Sequence, residues 1–246
     1  MSFFAFPLNL ILALLWSALV FMTFRHASTS KVVRFILSPL STVISISLFI
    51  LACLIIGLTG NRDWILSIPF ITIYLYFMTV LYFVVLRGWI RDGKVRWRFL
   101  LNHLGLLIAL ASAFWGTPDS ETMKIQAFKD IPVREAYRMD GSRAWLPYEI
   151  ELKDMNAEFY EDGTPSSFTA LLRIGEDTEV LKVNHPYSRS LAEDIYLSGY
   201  DTEQEKYCIV QIVKEPWKYP ALAGIFMMLA GAMLLFLNGP SKNQKS

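Results

Sequence analysis

His103 is the one histidine of this sequence inside an apolar run. The run is Trp97–Gly116, WRFLLNHLGLLIALASAFWG, which begins at a basic cluster and continues for roughly the length that crosses a bilayer. An ionisable side chain is costly to place in hydrocarbon, so it marks a functional site by default. An imidazole there has three uses. With Asn102 it can hydrogen-bond to a neighbouring helix. It can relay protons, although relays usually carry buried carboxylates and no apolar run here holds Asp or Glu in its interior. Or it can ligate a metal, and haem iron suits an apolar, aromatic-rich slot. Zinc does not fit. His26, His103 and His185 fall in three different regions, with no thiol or carboxylate paired to them. On the residues alone, the three uses stay open.

The other candidates read as structure. His26 lies beside Arg25 in a charged linker. His185 sits in Val183-Asn184-His185-Pro186, a turn signal between two predicted strands. Cys53 and Cys208 lie in an apolar run and in a polar segment, so they form neither a disulfide framework nor a redox pair. Gly-x-x-x-x-Gly-Lys, Gly-x-Ser-x-Gly and His-Glu-x-x-His are missing, as is the Cys-x-x-Cys-His of a c-type cytochrome.

Positioning His103 requires a membrane bundle. Of 246 residues, 54% are hydrophobic, and the mean hydropathy is +0.37, which fits several spans plus a soluble part. Five apolar stretches are long enough to span: about 3–24, 42–60, 65–86, 99–115 and 219–238. The first has no basic residue before it and reads as a retained helix rather than a cleaved leader; Pro7 near its start is tolerable there. Residues 1–115 thus form a four-helix transmembrane bundle, 219–238 a fifth helix and 239–246 a tail.

Basic residues set the orientation. Arg25, Lys31 and Arg34, then the run RGWIRDGKVRWR (87–98), then Lys242 and Lys245 place the 25–41 loop, the 87–98 loop and the tail in the cytoplasm. The 61–63 link and residues 116–218 are then extracytoplasmic, in the cell inner (cytoplasmic) membrane setting. Trp64, Trp115, Trp217 and Tyr219 mark the outer interface; Trp89 and Trp97 mark the inner one. Residues 116–218 are acidic, which excludes nucleic acid as a partner, since that needs a basic face.

That segment alternates apolar and polar residues over 147–155, 166–174, 178–184, 194–200 and 206–214. Asp140-Gly141, Gly163-Thr164-Pro165 and Gly175-Glu176-Asp177 supply turns. A β-rich domain follows, a compact antiparallel sheet or small sandwich. In the 99–115 helix, Gly105, Ala109, Ser112 and Gly116 make a small-residue row, the kind that lets helices approach closely. His103 shares the roughly opposite face with Leu107, Leu110 and Phe114, and that face is expected to meet something outside the bundle. It lies about a turn from Arg98, toward the cytoplasmic side.

Several strings together resemble the ResB-like (CcsB-type) proteins of cytochrome c maturation system II. Val95–Gly105, VRWRFLLNHLG, is similar to that family's His-Leu-Gly membrane helix. Leu146–Ile150 with Glu158–Tyr160 and Gly163–Pro165 follows, then Lys182–Pro186 with Asp194–Tyr196 and Gly199–Asp201, then Ile212–Trp217 leading into Gly224 and Gly231. The resemblance runs over about 38–238, so the 3–24 helix is an addition. It implies a haem-handling subunit of a cytochrome c synthetase. Its partner would be a ResC- or CcsA-type membrane protein carrying a tryptophan-rich haem segment, which this chain lacks. It would help translocate haem b, shared with that partner, and present it for thioether attachment to exported apocytochrome c. Carried over by position, His103 is an axial ligand of haem iron, and no catalytic residue is implied. Some relatives carry haem on a cysteine, a role Cys208 is not matched to. The alternative is a non-enzymatic membrane scaffold or assembly factor whose outer domain binds a partner protein and in which His103 only packs or hydrogen-bonds. A b-type electron carrier is weaker still, because it needs two facing histidines and only one lies in a span.

Overall fold

The computed structural model describes residues 4–26, 30–91, 93–161, 165–201 and 206–238. The expected Gly163-Thr164 turn and the tail with Lys242 and Lys245 lie outside them. Among the described residues, five helices are long and apolar enough to cross a membrane. They are α1 (Leu8–Arg25), α3 (Pro39–Thr59), α4 (Ile68–Gly88), α5 (Trp97–Gly116) and α6 (Lys218–Asn238); a short helix α2 (Lys31–Ile36) precedes α3. The chain is a multi-pass membrane protein. Helix ends sit where capping chemistry puts them. Pro7 caps α1 from outside rather than lying within it. Ser38 accepts from the Ser41 amide and Pro39 opens α3, which closes on Gly60 in the left-handed region. Ser67 caps α4 in the same way, after a 3₁₀ turn at Arg62–Leu66 that replaces the expected simple link.

α4 is the central helix, burying Tyr74, Met78, Val80, Leu81, Phe83 and Val85. Leu81 and Val85 pack on Leu107 of α5. The Tyr74 hydroxyl donates to the Leu110 carbonyl at 3.0 Å, and its ring lies on Phe114. The additional helix α1 docks on the same pair. Asn9, buried, donates to the Trp115 carbonyl at 2.8 Å, and Trp16 Nε1 donates to Thr79 at 3.3 Å. On the far side of α5, α6 packs through glycines. A Cβ on Gly105 would lie 2.7 Å from the Gly224 carbonyl oxygen; one on Gly116 would lie 2.6 Å from Trp217. The small-residue row thus does what its spacing predicts, and its partner is α6.

Between α4 and α5, β1 (Ile90–Arg91) and β2 (Lys94–Val95) form a small ribbon. The second compact unit, Asp119–Pro216, is one antiparallel sheet. Its strands are β3 (Glu121–Phe128), β4 (Val133–Arg138), β5 (Arg143–Phe159), β6 (Pro165–Ile174), β7 (Asp177–Lys182), β8 (Tyr187–Ser190), β9 (Glu193–Tyr200) and β10 (Tyr207–Lys214). The order is β7-β6-β5-β4-β3-β10-β9-β8. The edges, β7 and β8, are joined by only residues 183–186. Eight flat strands would hold those edges about 34 Å apart, whereas that link reaches about 17 Å, so the sheet must curl on itself. It does. The Tyr187 hydroxyl on β8 donates to Asp177 on β7 at 3.1 Å, and Lys182 bridges to His185. Bulges at Lys153 in β5 and at Ser198 in β9, opposite Ile209/Val210 of β10, supply the bends. The inward residues form one core, with Ile125, Ile150, Leu152, Leu172, Ile195 and Val210 fully buried. A curled sheet therefore stands in place of a sandwich.

Among the described residues of this unit, two carboxylates are buried, Glu151 and Glu193. Glu193 accepts the Tyr148 hydroxyl at 2.8 Å across the interior, from β9 to β5, while the Arg189 guanidinium lies 4.0 Å over the Tyr148 ring. Glu151 is gripped by Lys153 and by Arg173, whose Nε is 2.7 Å away. Those donors hold the Glu151 carboxyl below the usual glutamate range. A depressed carboxylate contributes stability that is full above its unfolded pKa of about 4.3 and is lost as pH falls through the folded value. Acid unfolding of the full chain, followed by β-sheet circular dichroism, is expected to lose part of its steepness below about pH 4.3 in Glu151→Gln. An unchanged acid limb would remove Glu151 from the account.

Candidate functional site

The residues around His103 are set by the α4–α5 connection. Its ribbon turns at Gly93 (φ +72°). The Arg96 amide donates to the Trp89 carbonyl, and the Leu100 amide to the Arg96 carbonyl, both at 2.8 Å. α5 therefore starts at a fixed point beside the end of α4. There Gly88 has no side chain, and the Phe99 ring fills the space: a Cβ on Gly88 would lie 2.6 Å from Phe99 Cε1. The Arg96 guanidinium sits 4.8 Å over the same ring and reaches back to the Gly88 carbonyl at 3.4 Å.

His103 lies one turn further and is half-buried. Its ring stacks on Phe99 with centroids 4.1 Å apart and planes 20° from parallel. Nδ1 is 2.9 Å from the Phe99 carbonyl oxygen. A carbonyl only accepts, so Nδ1 carries the proton; in the neutral ring Nε2 then keeps its lone pair, the tautomer a metal ligand needs. Asn102 likewise donates to its own helix, to the Arg98 carbonyl at 2.8 Å, and packs where a Gly231 side chain would stand. Neither side chain hydrogen-bonds to another helix among the described residues, so the interhelical hydrogen-bonding use is not realised. The face below His103 is not vacant, contrary to expectation, because α4 covers Leu107, Leu110 and Phe114.

The remaining candidates stand apart. His26 is exposed at the end of α1, with Nδ1 on the Met22 carbonyl at 2.9 Å. His185 is exposed in a tight turn whose Asn184 takes φ +63° and whose amide returns to Lys182. Cys208 points into the β core, fully buried, and burial pushes its thiol up to about 12. A thiol so placed is neither reactive nor reachable. Among the described residues no three His, Cys, Asp or Glu side chains gather to hold a metal ion. A single imidazole supported by aromatic and apolar groups is instead the donor set that haem accepts, since the porphyrin supplies the other ligands.

Residues 93–209 match the family model described as the ResB-like family. The matched stretch is just under half of this chain. It takes in β2, all of α5 with His103, and the β unit as far as the start of β10; α1, α3, α4 and α6 lie outside it. A solved structure titled "Cytochrome c Heme Lyase CcmF" aligns at 13% identity with a TM-score of 0.43, over 92% of this chain and 39% of that one. This chain therefore spans well under half the length of that protein. No curated protein matches the sequence. Within the matched stretch, the strings 182–186 and 194–196 fall in the end of β7, its turn and β9, and 199–201 closes β9 and runs one residue past it. Sequence reading singled out His103 but not Gly88, Phe99 and Arg96 beside it; a glycine closing one helix and an aromatic four residues before the histidine were the available signals.

Proposed function

We propose that this protein is a haem-handling membrane subunit of a cytochrome c synthetase, with His103 as an axial ligand of haem b. The observation that supports this reading most is the His103 imidazole, held as its Nδ1–H tautomer within a ResB-like domain. Bound haem supplies an iron that takes a nitrogen lone pair and vinyl groups that take cysteine thiols. His103 would hold the iron through Nε2, and Phe99 with the apolar wall of α4 and α5 would keep water from it. The second ligand comes from a partner of the ResC or CcsA type, so α5 forms half of a site. In the orientation set by the basic loops, His103 lies near the cytoplasmic face and the β unit is extracytoplasmic, where exported apocytochrome c receives the haem. The test is the absorption spectrum of the full chain co-purified with such a partner. A Soret band with the sharp visible bands of nitrogen-ligated reduced haem is expected; a colourless complex sinks the proposal.

A further inference from the structure

Gly88 closes α4 with no side chain, and the Phe99 ring occupies the volume that its Cβ would need. That ring is also the platform beneath His103. Helix geometry alone does not require this. A glycine at the end of a membrane helix is ordinary where the backbone turns left-handed, but Gly88 is helical and its left-handed neighbour in the connection is Gly93. Its absent side chain therefore serves the approach of Phe99. Three contacts then converge on one ring: Gly88 admits it, the Arg96 cation lies 4.8 Å over it, and His103 stacks on it at 4.1 Å. Phe99 also supplies the carbonyl that takes the His103 Nδ1 proton. One residue thus limits both the plane and the tautomer of the imidazole.

We infer that Gly88 and Phe99 are positioning residues for His103: they clamp the imidazole so that Nε2 is offered as an unprotonated donor. The clamp rests on the haem-ligand reading for its purpose, although its geometry does not. The physical need is plain. A free neutral imidazole favours the Nε2–H form, which puts a proton on the nitrogen farther from the backbone. An imidazole free to turn about its side-chain bonds also loses orientational entropy on ligation. Partners that fix ring orientation and tautomer act on metal affinity by about 10–100-fold in metal sites generally. Here the usual carboxylate or distant carbonyl is replaced by the histidine's own helix plus an aromatic stack.

Two variants break the clamp from opposite sides. Gly88→Ala pushes the ring off its seat; the clash is with the outer end of a side chain, which can swing away, so the helices stay folded. Phe99→Leu removes the ring and adds no bulk. The measurement is ring ¹⁵N NMR of the full chain without haem, in lipid nanodiscs at alkaline pH, with His26→Asn and His185→Asn isolating the His103 signals. The wild-type pair is expected to show the Nδ1–H tautomer with one sharp pattern. Both variants are expected to show averaged shifts moving toward the Nε2–H form. Titration with haemin should then give a Kd raised about tenfold in each. Wild-type ¹⁵N shifts in both variants overturn the clamp. His103→Ala with the wild-type haemin Kd overturns the ligand reading instead, and leaves the NMR result standing.

Discussion

His103→Ala is expected to abolish haem binding by the full chain and its partner while leaving the bundle folded. The fold has little to lose. Alanine is the better helix former, by up to about 0.7 kcal/mol. The Nδ1–H bond goes to a carbonyl of the same helix, so truncation leaves no donor stranded. The stack on Phe99 is lost, worth about 0.5–1.5 kcal/mol for aromatic pairs, so the two terms nearly cancel. On the proposed reading haem would lose the nitrogen that this chain supplies, and no other histidine lies in an apolar run to replace it. Because the vacated space keeps Phe99 as its floor, added imidazole is expected to restore the Soret band. Wild-type haem content in this variant, at an unchanged thermal midpoint, would remove His103 from the site. Restored colour with imidazole separates a missing ligand from a damaged helix.

Gly224→Leu is expected to have the largest effect on the fold. A Cβ there would lie 2.5 Å from the Gly105 carbonyl oxygen, 2.6 Å from the Ala109 nitrogen and 3.1 Å from the Ala109 Cα. All three are backbone atoms, so no rotamer change relieves them and α5 must part from α6. In lipid no hydrophobic force draws helices together, and separation forfeits the van der Waals contact that holds the pair. Overpacking of a core generally costs about 1–3 kcal/mol, and a clash with backbone lies at or above the top of that range. The control is Gly57→Leu, where nothing lies within 4 Å of the added Cβ. Thermal unfolding in detergent should show a midpoint lowered by many degrees for Gly224→Leu and little change for Gly57→Leu. Equal midpoints would refute the close-packed α5–α6 pair.

The spans were legible because each is a long apolar run with caps or basic residues at its ends. Strands 147–155 and 194–200 were legible because large apolar residues alternate with polar ones. β3 and β4 were missed although β3 alternates, because their inward positions include Ala127 and Ala136, small side chains that give a weak hydrophobic signal. The short β8 is held by its neighbour β9 rather than by its own composition. At the site, His103 stood out because charge-bearing groups are rare in such runs. Its tautomer and its platform could not be read, because they depend on Gly88, fifteen residues away in sequence and on another helix. The small-residue row foretold close packing but not which helix would answer it.

That answer has a consequence in time. α5 and α6 are the most intimately packed pair, yet the whole β unit, residues 119–216, is made between them. At about 5–20 residues per second, roughly 5–20 s pass between the emergence of α5 and that of α6. Throughout that interval the glycine face of α5 has no partner from its own chain. A membrane chaperone or lipid must cover it, or α5 must wait in the insertion machinery.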